Sequence, residues 1–576
     1  MKWLIRPWIM ATASAALVIG AALLILRSPS AQPGPTPSAV ASGDHEIVWL
    51  STTTNASAWE RFVAAVQRAA TRLQDDHPGT QAQIGEAFPK QTTAVPEVSL
   101  TLPGGAGRLV FRWYKITTDW KQRDWVEALL KRRPPPLAII GGNSSDTARE
   151  LASQLSRQSG DVAEADRPLL LLTTATADRV ADPDAPPDAP VKANKMGLTD
   201  VYAKRTFRYC FSNKQMAAAV MSFLRTQDDL QPDLASIHMV QWDDDAYSRD
   251  LNDGFEEVLR HPRPPGEDVP GCGAASSATQ SPPAPPLLLN PARIASSVGS
   301  FLTPNRFEAE GVSNIIDDLE KTPAAEPLTP DRRSLDTVLD ELAGAHPRPR
   351  RPLLVVTGQS APSRRFLAEL ARTSPAQARR LVVATGDSLA FNTIYRDRRV
   401  AWPIQELPFP LVFFSHYNPI DPDAGFSPES QPPPEAGSES IRSATGTEDV
   451  LLNSSIVESL ARAFDRDGKP AGDATEVSKR LLEIRHKHGK LGYAPDGTLL
   501  FCPNGDRLGG AGETIVCLRP RFDGDRVLPE ATIEVWFSRE SVKHEPGTPQ
   551  PPPWTRHGDP LAVSYKPFTV ERGSAP

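Results

Sequence analysis

The chain has 576 residues, with 39% hydrophobic and 23% charged residues and a formal net charge of −7. That length exceeds one ordinary core and calls for two or more lobes. No basic stripe accompanies the acidic balance, which argues against a nucleic-acid partner. The 58 prolines are clustered, so they read as loops and linkers around a normal core.

In chain order, Lys2 and Arg6 precede an apolar run from Trp8 to Leu26, followed by Arg27. The run is close to the length that spans hydrocarbon. It reads as an uncleaved anchor or as a signal peptide cleaved near Ala31. The charge bias places the body outside the cytoplasm, with a Pro/Ser/Ala-rich linker at 28–43. Glu46–Ser51 reads as a strand, and Ser57 as the cap of a helix burying Trp59, Phe62, Val63, Val66 and Ala70. Strands follow at 108–115, 137–141 and 168–173, with helices at about 119–132 and 144–157. After a proline-rich loop, strands are expected at 206–211 and 235–242, with helices at 214–225 and 247–260. Further strands fall at 352–357, 381–385, 411–415, 498–501 and 533–537, and helices at 307–321 and 448–464. Strands alternating with helices of about ten to fifteen residues imply βαβ units and parallel sheets, an α/β fold.

Two strands end in short polar turns. Leu137-Ala-Ile-Ile-Gly-Gly-Asn-Ser-Ser145 closes one, and Leu169-Leu-Leu-Leu-Thr-Thr-Ala-Thr176 another. Such turns place hydroxyls and free N–H groups at the carboxyl edge of a parallel sheet, where open α/β sheets bind ligands. A helix N-terminus there favours an anionic group. Two runs of βα units suggest two Rossmann-like lobes with a ligand cleft between them.

Four cysteines occur without CxxC spacing, which disfavours zinc. Cys502 and Cys517 flank a glycine-rich turn and could pair in an oxidising compartment; free thiols are the equal alternative. His486 and His488 do not share a helix face. The glycines at 104–107 and 509–512 lack a nucleotide-binding setting. No catalytic Ser-His-Asp or Cys-His set can be assembled, so neither an enzyme nor a cofactor is expected.

The segments AIIGGNSSDTARELASQL (138–155), RPLLLLTTATADRV (167–180), TFRYCFSNKQMAAAVMSFL (206–224), DDDAYSRDLNDGFEEVL (243–259), VVATGDSLAFN (382–392), TEDVLLNSSIVESLARAF (447–464) and GTLLFCPNGDR (497–507) occur in an informative order. That order resembles the type I periplasmic binding proteins, in particular the branched-chain amino-acid receptors. The resemblance covers most of residues 44–540. It implies lobe 1 at 44–205 and 408–496, and lobe 2 at 206–407 and 497–540; the chain departs from the family's pattern in Pro-rich insertions near 261–285, 322–351 and 419–446, and a Pro-rich tail follows at 541–576. It implies ligand contacts from Ser145, Thr174 and Thr176, from the ring of Tyr247, and from Asp387 toward a ligand ammonium; Gln359 and Asn143 are weaker candidates. Ser145 and Asp387 would equally serve as helix N-caps. The implied function is capture of an amino acid or similar carboxylate for an ABC-type permease. The apparent anchor also admits a membrane-tethered sensor that signals through a partner, and the Pro-rich insertions admit a relative that binds nothing.

Overall fold

A computed structural model describes residues 34–186, 195–260, 307–321, 350–389, 407–417, 447–483, 501–507, 513–538, 554–556 and 561–564, apart from 76, 104–106, 243–244, 467 and 525. The apolar run at Trp8–Leu26 lies outside the described residues. Among the described residues no helix is long and apolar enough to cross a membrane.

The first lobe is built from β1 (Asp44–Thr52), α1 (Ala56–Leu73), β2 (Gln81–Ile84), β3 (Glu97–Thr101), β4 (Arg108–Ile116), α2 (Gln122–Lys131), β5 (Ala138–Gly141), α3 (Ser145–Gln158), β6 (Leu169–Leu172), the hairpin β7 (Arg179–Ala181) and β8 (Lys195–Gly197), and β9 (Thr206–Arg208). Its seven-stranded sheet runs β2-β3-β4-β1-β5-β6-β9, parallel except where β2 and β3 fold back beside β4. β5 and β6 are buried along their whole length, as central parallel strands covered on both faces should be. One face packs on α1, whose Trp59 and Phe62 meet Trp49 and Trp113 from β1 and β4. The other face packs on α2 and α3.

The second lobe contains α4 (Asn213–Thr226), β10 (Pro232–Val240), α5 (Ala246–Arg260), α6 (Phe307–Lys321), β11 (Arg351–Val356), α7 (Ser360–Thr373), α8 (Pro375–Ala378), β12 (Val382–Thr385) and β13 (Leu411–Ser415). The chain then returns to the first lobe as α9 (Thr447–Phe464), the short pair β14 (Asp465–Arg466) and β15 (Lys469–Pro470), and α10 (Ala474–Glu483). It finishes in the second lobe with β16 (Thr514–Asp523), β17 (Arg526–Ser538), β18 (Trp554–Arg556) and β19 (Leu561–Ser564). The eight-stranded sheet runs β10-β11-β12-β13-β16-β17-β18, with β19 also on β17. Its first four strands are parallel and the remainder antiparallel. Helices α4 and α5 cover one face, and α6, α7 and α8 the other.

The structure moves several boundaries read from sequence. Thr206–Arg208 pairs with β6, so the first crossing between lobes follows Arg208 rather than residue 205. Leu411–Ser415 pairs with β12, so the second crossing follows Ser415 rather than residue 407. The segment 541–576 is not merely a tail: β18 and β19 pair with β17, and Trp554 is buried with its indole N–H on Ser222 Oγ (3.2 Å). Helix α1 starts at Ala56, which puts Ser57 inside its first turn rather than at the cap. Cys517 is a free, buried thiol whereas Cys502 is disulfide-bonded, so the Cys502–Cys517 pairing does not form. Residues 491–500 lie outside the described residues; Phe501 makes a single bridge to Arg507 where a strand was expected.

Candidate functional site

The polar turn after β5 owes its shape to Gly142. Its φ is +71°, and a Cβ there would lie 2.7 Å from the Ala148 side chain. Only glycine lets the strand end press that close to α3. Ser144 caps α3: its Oγ accepts from Thr147 N–H (3.3 Å), and Ser144 N–H donates to Thr147 Oγ1 (3.1 Å). This reciprocal box is a strong N-terminal signal. Ser145 is therefore the first helical residue and not the cap. It is buried, and its Oγ accepts from Ala177 N–H (3.1 Å) in the turn after β6.

Thr174 in that second turn is half-buried and donates to the Asn143 carbonyl (2.9 Å). The two polar turns are thus bonded to each other twice. Thr176 is buried; its carbonyl accepts from Asn213 N–H (2.8 Å) and from Arg208 Nη1 (3.1 Å), and its hydroxyl has no hydrogen-bond partner among the described residues.

The second lobe presents Tyr247, Asp387 and His416 at the carboxyl ends of β10, β12 and β13. Tyr247 Oη donates to Asp387 Oδ1 (2.8 Å) and accepts from Ser388 N–H (3.3 Å). His416 Nε2 lies 2.9 Å from Asp387 Oδ2. His416 Nδ1 accepts from Phe211 N–H (3.2 Å), which leaves the imidazole proton on Nε2 to donate to the carboxylate. Burial works against the Asp387 charge, but the bonds from His416 and Tyr247 outweigh it and hold the carboxyl below its usual range. Burial and the neighbouring carboxylate push the Tyr247 phenol well above its usual range. Gly386 makes this approach possible, since a Cβ there would lie 2.7 Å from Tyr247 Oη.

Of the weaker candidates, Gln359 is exposed and its Nε2 donates to Asp245 Oδ1 (3.2 Å), joining two turns of the second lobe. Asn143 is exposed at the rim of the first.

The five residues expected to meet a ligand therefore lie at the carboxyl edges of the two sheets, on turns or in the first turn of the following helix, and Asn213 joins the two edges, its Nδ2 reaching the Tyr247 carbonyl (3.4 Å). Their hydroxyls and carboxylate are bonded mainly within the chain. No family model matches this chain, and no curated protein matches it. Among solved structures it is similar to an ABC transporter substrate-binding protein of Desulfitobacterium hafniense with leucine, at 13% identity and TM-score 0.43, over 84% of this chain and 99% of that one. It is similar to the branched-chain amino acid transporter substrate-binding protein of Streptococcus pneumoniae with isoleucine, at 10% identity and TM-score 0.40, over 84% and 97%. It is also similar to a solute-binding protein of R. palustris with 4-hydroxybenzoate, at 8% identity and TM-score 0.40, over 84% and 95%. The chemistry of the site lies in this chain's own residues.

Those residues include several that strand and turn patterns do not reveal. Arg208 is buried at the end of β9. Its Nε and Nη2 donate to Asp506 Oδ1 (2.8 and 2.6 Å), and its Nη1 to the carbonyls of Thr176 and Ala177 (3.1 and 2.7 Å). Arg507 lies 3.6 Å over the Phe211 ring and donates to the Tyr209 carbonyl (3.1 Å). Both arginines bind the first and third crossings together. The one sequence signal for Arg208 is a cation inside an otherwise apolar strand, TFRYCF (206–211), which calls for a buried acidic partner without naming it. Among the described residues no group of three or more His, Cys, Asp or Glu side chains is placed to hold a metal ion.

Proposed function

We propose that this protein is an extracytoplasmic solute-binding protein that closes two lobes on a small polar ligand, an amino acid or related carboxylate, for delivery to an ABC-type permease. One observation supports this above the others. Two mutually bonded, hydroxyl-bearing turns at the carboxyl edge of the first sheet stand with Tyr247, Asp387 and His416 from the carboxyl edge of the second. Such a junction between two α/β lobes is where small ligands are held. The N-terminus of the 14-residue helix α3 adds a field suited to a carboxylate. Asp387, kept ionised, suits an ammonium, which would share it with Tyr247 and His416. The extracytoplasmic location rests on the segment 1–27, which equally suits a tether to the inner membrane.

A thermal-shift screen of the full-length chain against amino acids, small carboxylates, amides and sugars tests the reading. A ligand that binds only the folded protein raises Tm. The expected result is a shift with amino acids or carboxylates. Asp387→Asn should then weaken an ammonium-bearing ligand by roughly tenfold or more, the loss expected of a charge-assisted bond. Silence across the panel from a folded sample would refute solute capture. It would favour a second reading, a relative that binds no solute, which one observation supports: Asp387, Tyr247 and His416 already satisfy one another.

A further inference from the structure

The lobes touch directly through a reciprocal set of hydrogen bonds. From the first lobe, the N–H groups of Asp178 and Arg179 donate to Asp250 Oδ2 (2.7 Å) and Oδ1 (3.2 Å) on α5. From the second lobe, Lys214 N–H, in the first turn of α4, donates to Asp178 Oδ2 (2.7 Å). Each lobe thus offers one carboxylate to the backbone of the other. Asn213 joins the two halves: its Nδ2 donates to Asp250 Oδ2 (2.9 Å) and its N–H to the Thr176 carbonyl. One turn further along α5, Asp253 pairs across the lobes with Lys195 of β8 (3.1 Å).

We propose that this set is a reversible clasp between the lobes, and that Asp250 sets its strength. Asp250 and Asn213 are buried, so the bonds are sheltered from water, in a setting where hydrogen bonds are worth most and a lost partner costs most. Asp178 fills the anion-favouring N-terminus of the 14-residue helix α4, so no ligand is needed to complete that end. Lobe separation must break the bonds to Asp250 and the Lys214–Asp178 bond together, because segment 176–179 holds both partners. The clasp goes beyond solute capture, since it acts whether or not a solute enters.

The charged group facing Asp250 is Asp178, which in turn is acted on by Arg208 and Asp506; the Asp253–Lys195 pair lies one turn further along α5. Burial, then the Asp178 charge, pushes Asp250 up to about 6. Burial raises Asp178 as well, against the lowering effect of Arg208. We take the burial that raises Asp250 to come from the apposed lobe, so that Asp250 takes up a proton on closing. Its support for the clasp is therefore complete below the ordinary carboxyl range and is lost as pH rises through about 6.

Amide hydrogen exchange of the full-length chain, read by mass spectrometry on peptides spanning 176–180 and 213–217, tests this. Asp250→Ala is expected to speed exchange roughly tenfold or more at both 178–179 and 214, while 138–141 keeps its protection. In the wild type, protection of both peptides, corrected for intrinsic rates, should be greater at pH 4.5 than at pH 7. Asp250→Asn, which keeps shape and one acceptor oxygen, should weaken protection less and shrink that pH difference. If Asp250→Ala fails to fold, the Asn variant decides alone. Unchanged exchange at 214, or a pH difference the Asn variant leaves intact, would overturn the clasp.

Discussion

Arg208→Ala is expected to cost about 3–5 kcal/mol of stability, the range for removing one partner of a buried ionic group. The guanidinium is 2% exposed and makes four hydrogen bonds, to Asp506 and to the carbonyls of Thr176 and Ala177. Desolvation alone would lower its pKa, but the charges of Asp506 and Asp178 more than offset that and keep it cationic. Alanine would leave two carboxylates and two carbonyls facing a void. Arg208→Met would fill most of the void yet leave the same groups unpaired, so it should recover only the packing part of the loss. The deficit should also depend on pH. Without Arg208 the Asp178 carboxyl loses the charge that lowers it and titrates still higher. The variant should then lose stability, relative to wild type, as pH rises from 5 toward 7. Urea unfolding at the two pH values reads both effects. A loss below about 1 kcal/mol at either pH would show the cluster to be hydrated.

Gly505→Ala should be more damaging than its size suggests, at about 4 kcal/mol or more, in the range reserved for a broken site rather than a trimmed contact. Gly505 has a φ of +86°, and a Cβ there would lie 1.8 Å from the Thr206 carbonyl oxygen. The turn 502–506 lies along β9, with Arg208 N–H donating to the Gly505 carbonyl (2.9 Å) and Phe501 packed edge-on against Phe207 and Tyr209. The added methyl has to push turn and strand apart, and that movement carries Asp506 away from Arg208. Gly468 is the control. Its φ is +71° but open space surrounds it, so Gly468→Ala should show only the left-handed backbone strain of about 1–2 kcal/mol. Urea unfolding of the two variants side by side separates clash from strain. Equal losses would mean that the turn does not press on β9.

Much of the fold was legible along the chain because neighbouring residues encode it. Leu169–Leu172 and Ala138–Gly141 read as fully buried strands from continuous apolar runs, and α1 from its spacing of Trp59, Phe62 and Val66. β2, with only exposed and half-buried residues, carries no such pattern. β18 and β19 sit in a proline-rich segment whose composition hides them. The three-residue strand Thr206–Arg208 reads the same in either sheet, so its placement beside β6 was settled by packing alone.

The candidate site divides in the same way. Polar turns after buried strands are local features and marked the two edges, while Ser145, Thr174, Thr176, Tyr247 and Asp387 were singled out by the resemblance of those segments to the type I periplasmic binding proteins. The partners that decide what those groups can do are not local. Asp387 accepts from His416, 29 residues on, and from Tyr247, 140 residues back. Arg208 finds Asp506 across 298 residues. Periodicity and turn chemistry act over a few residues, so the sequence alone sufficed for the kinds of element and for the polar edges. Charge pairing in a dry interior depends on approach in space. Only the tertiary structure could show which lobe each strand joins, which buried charge meets which, and that Asp178 and Asp250 hold the lobes to each other.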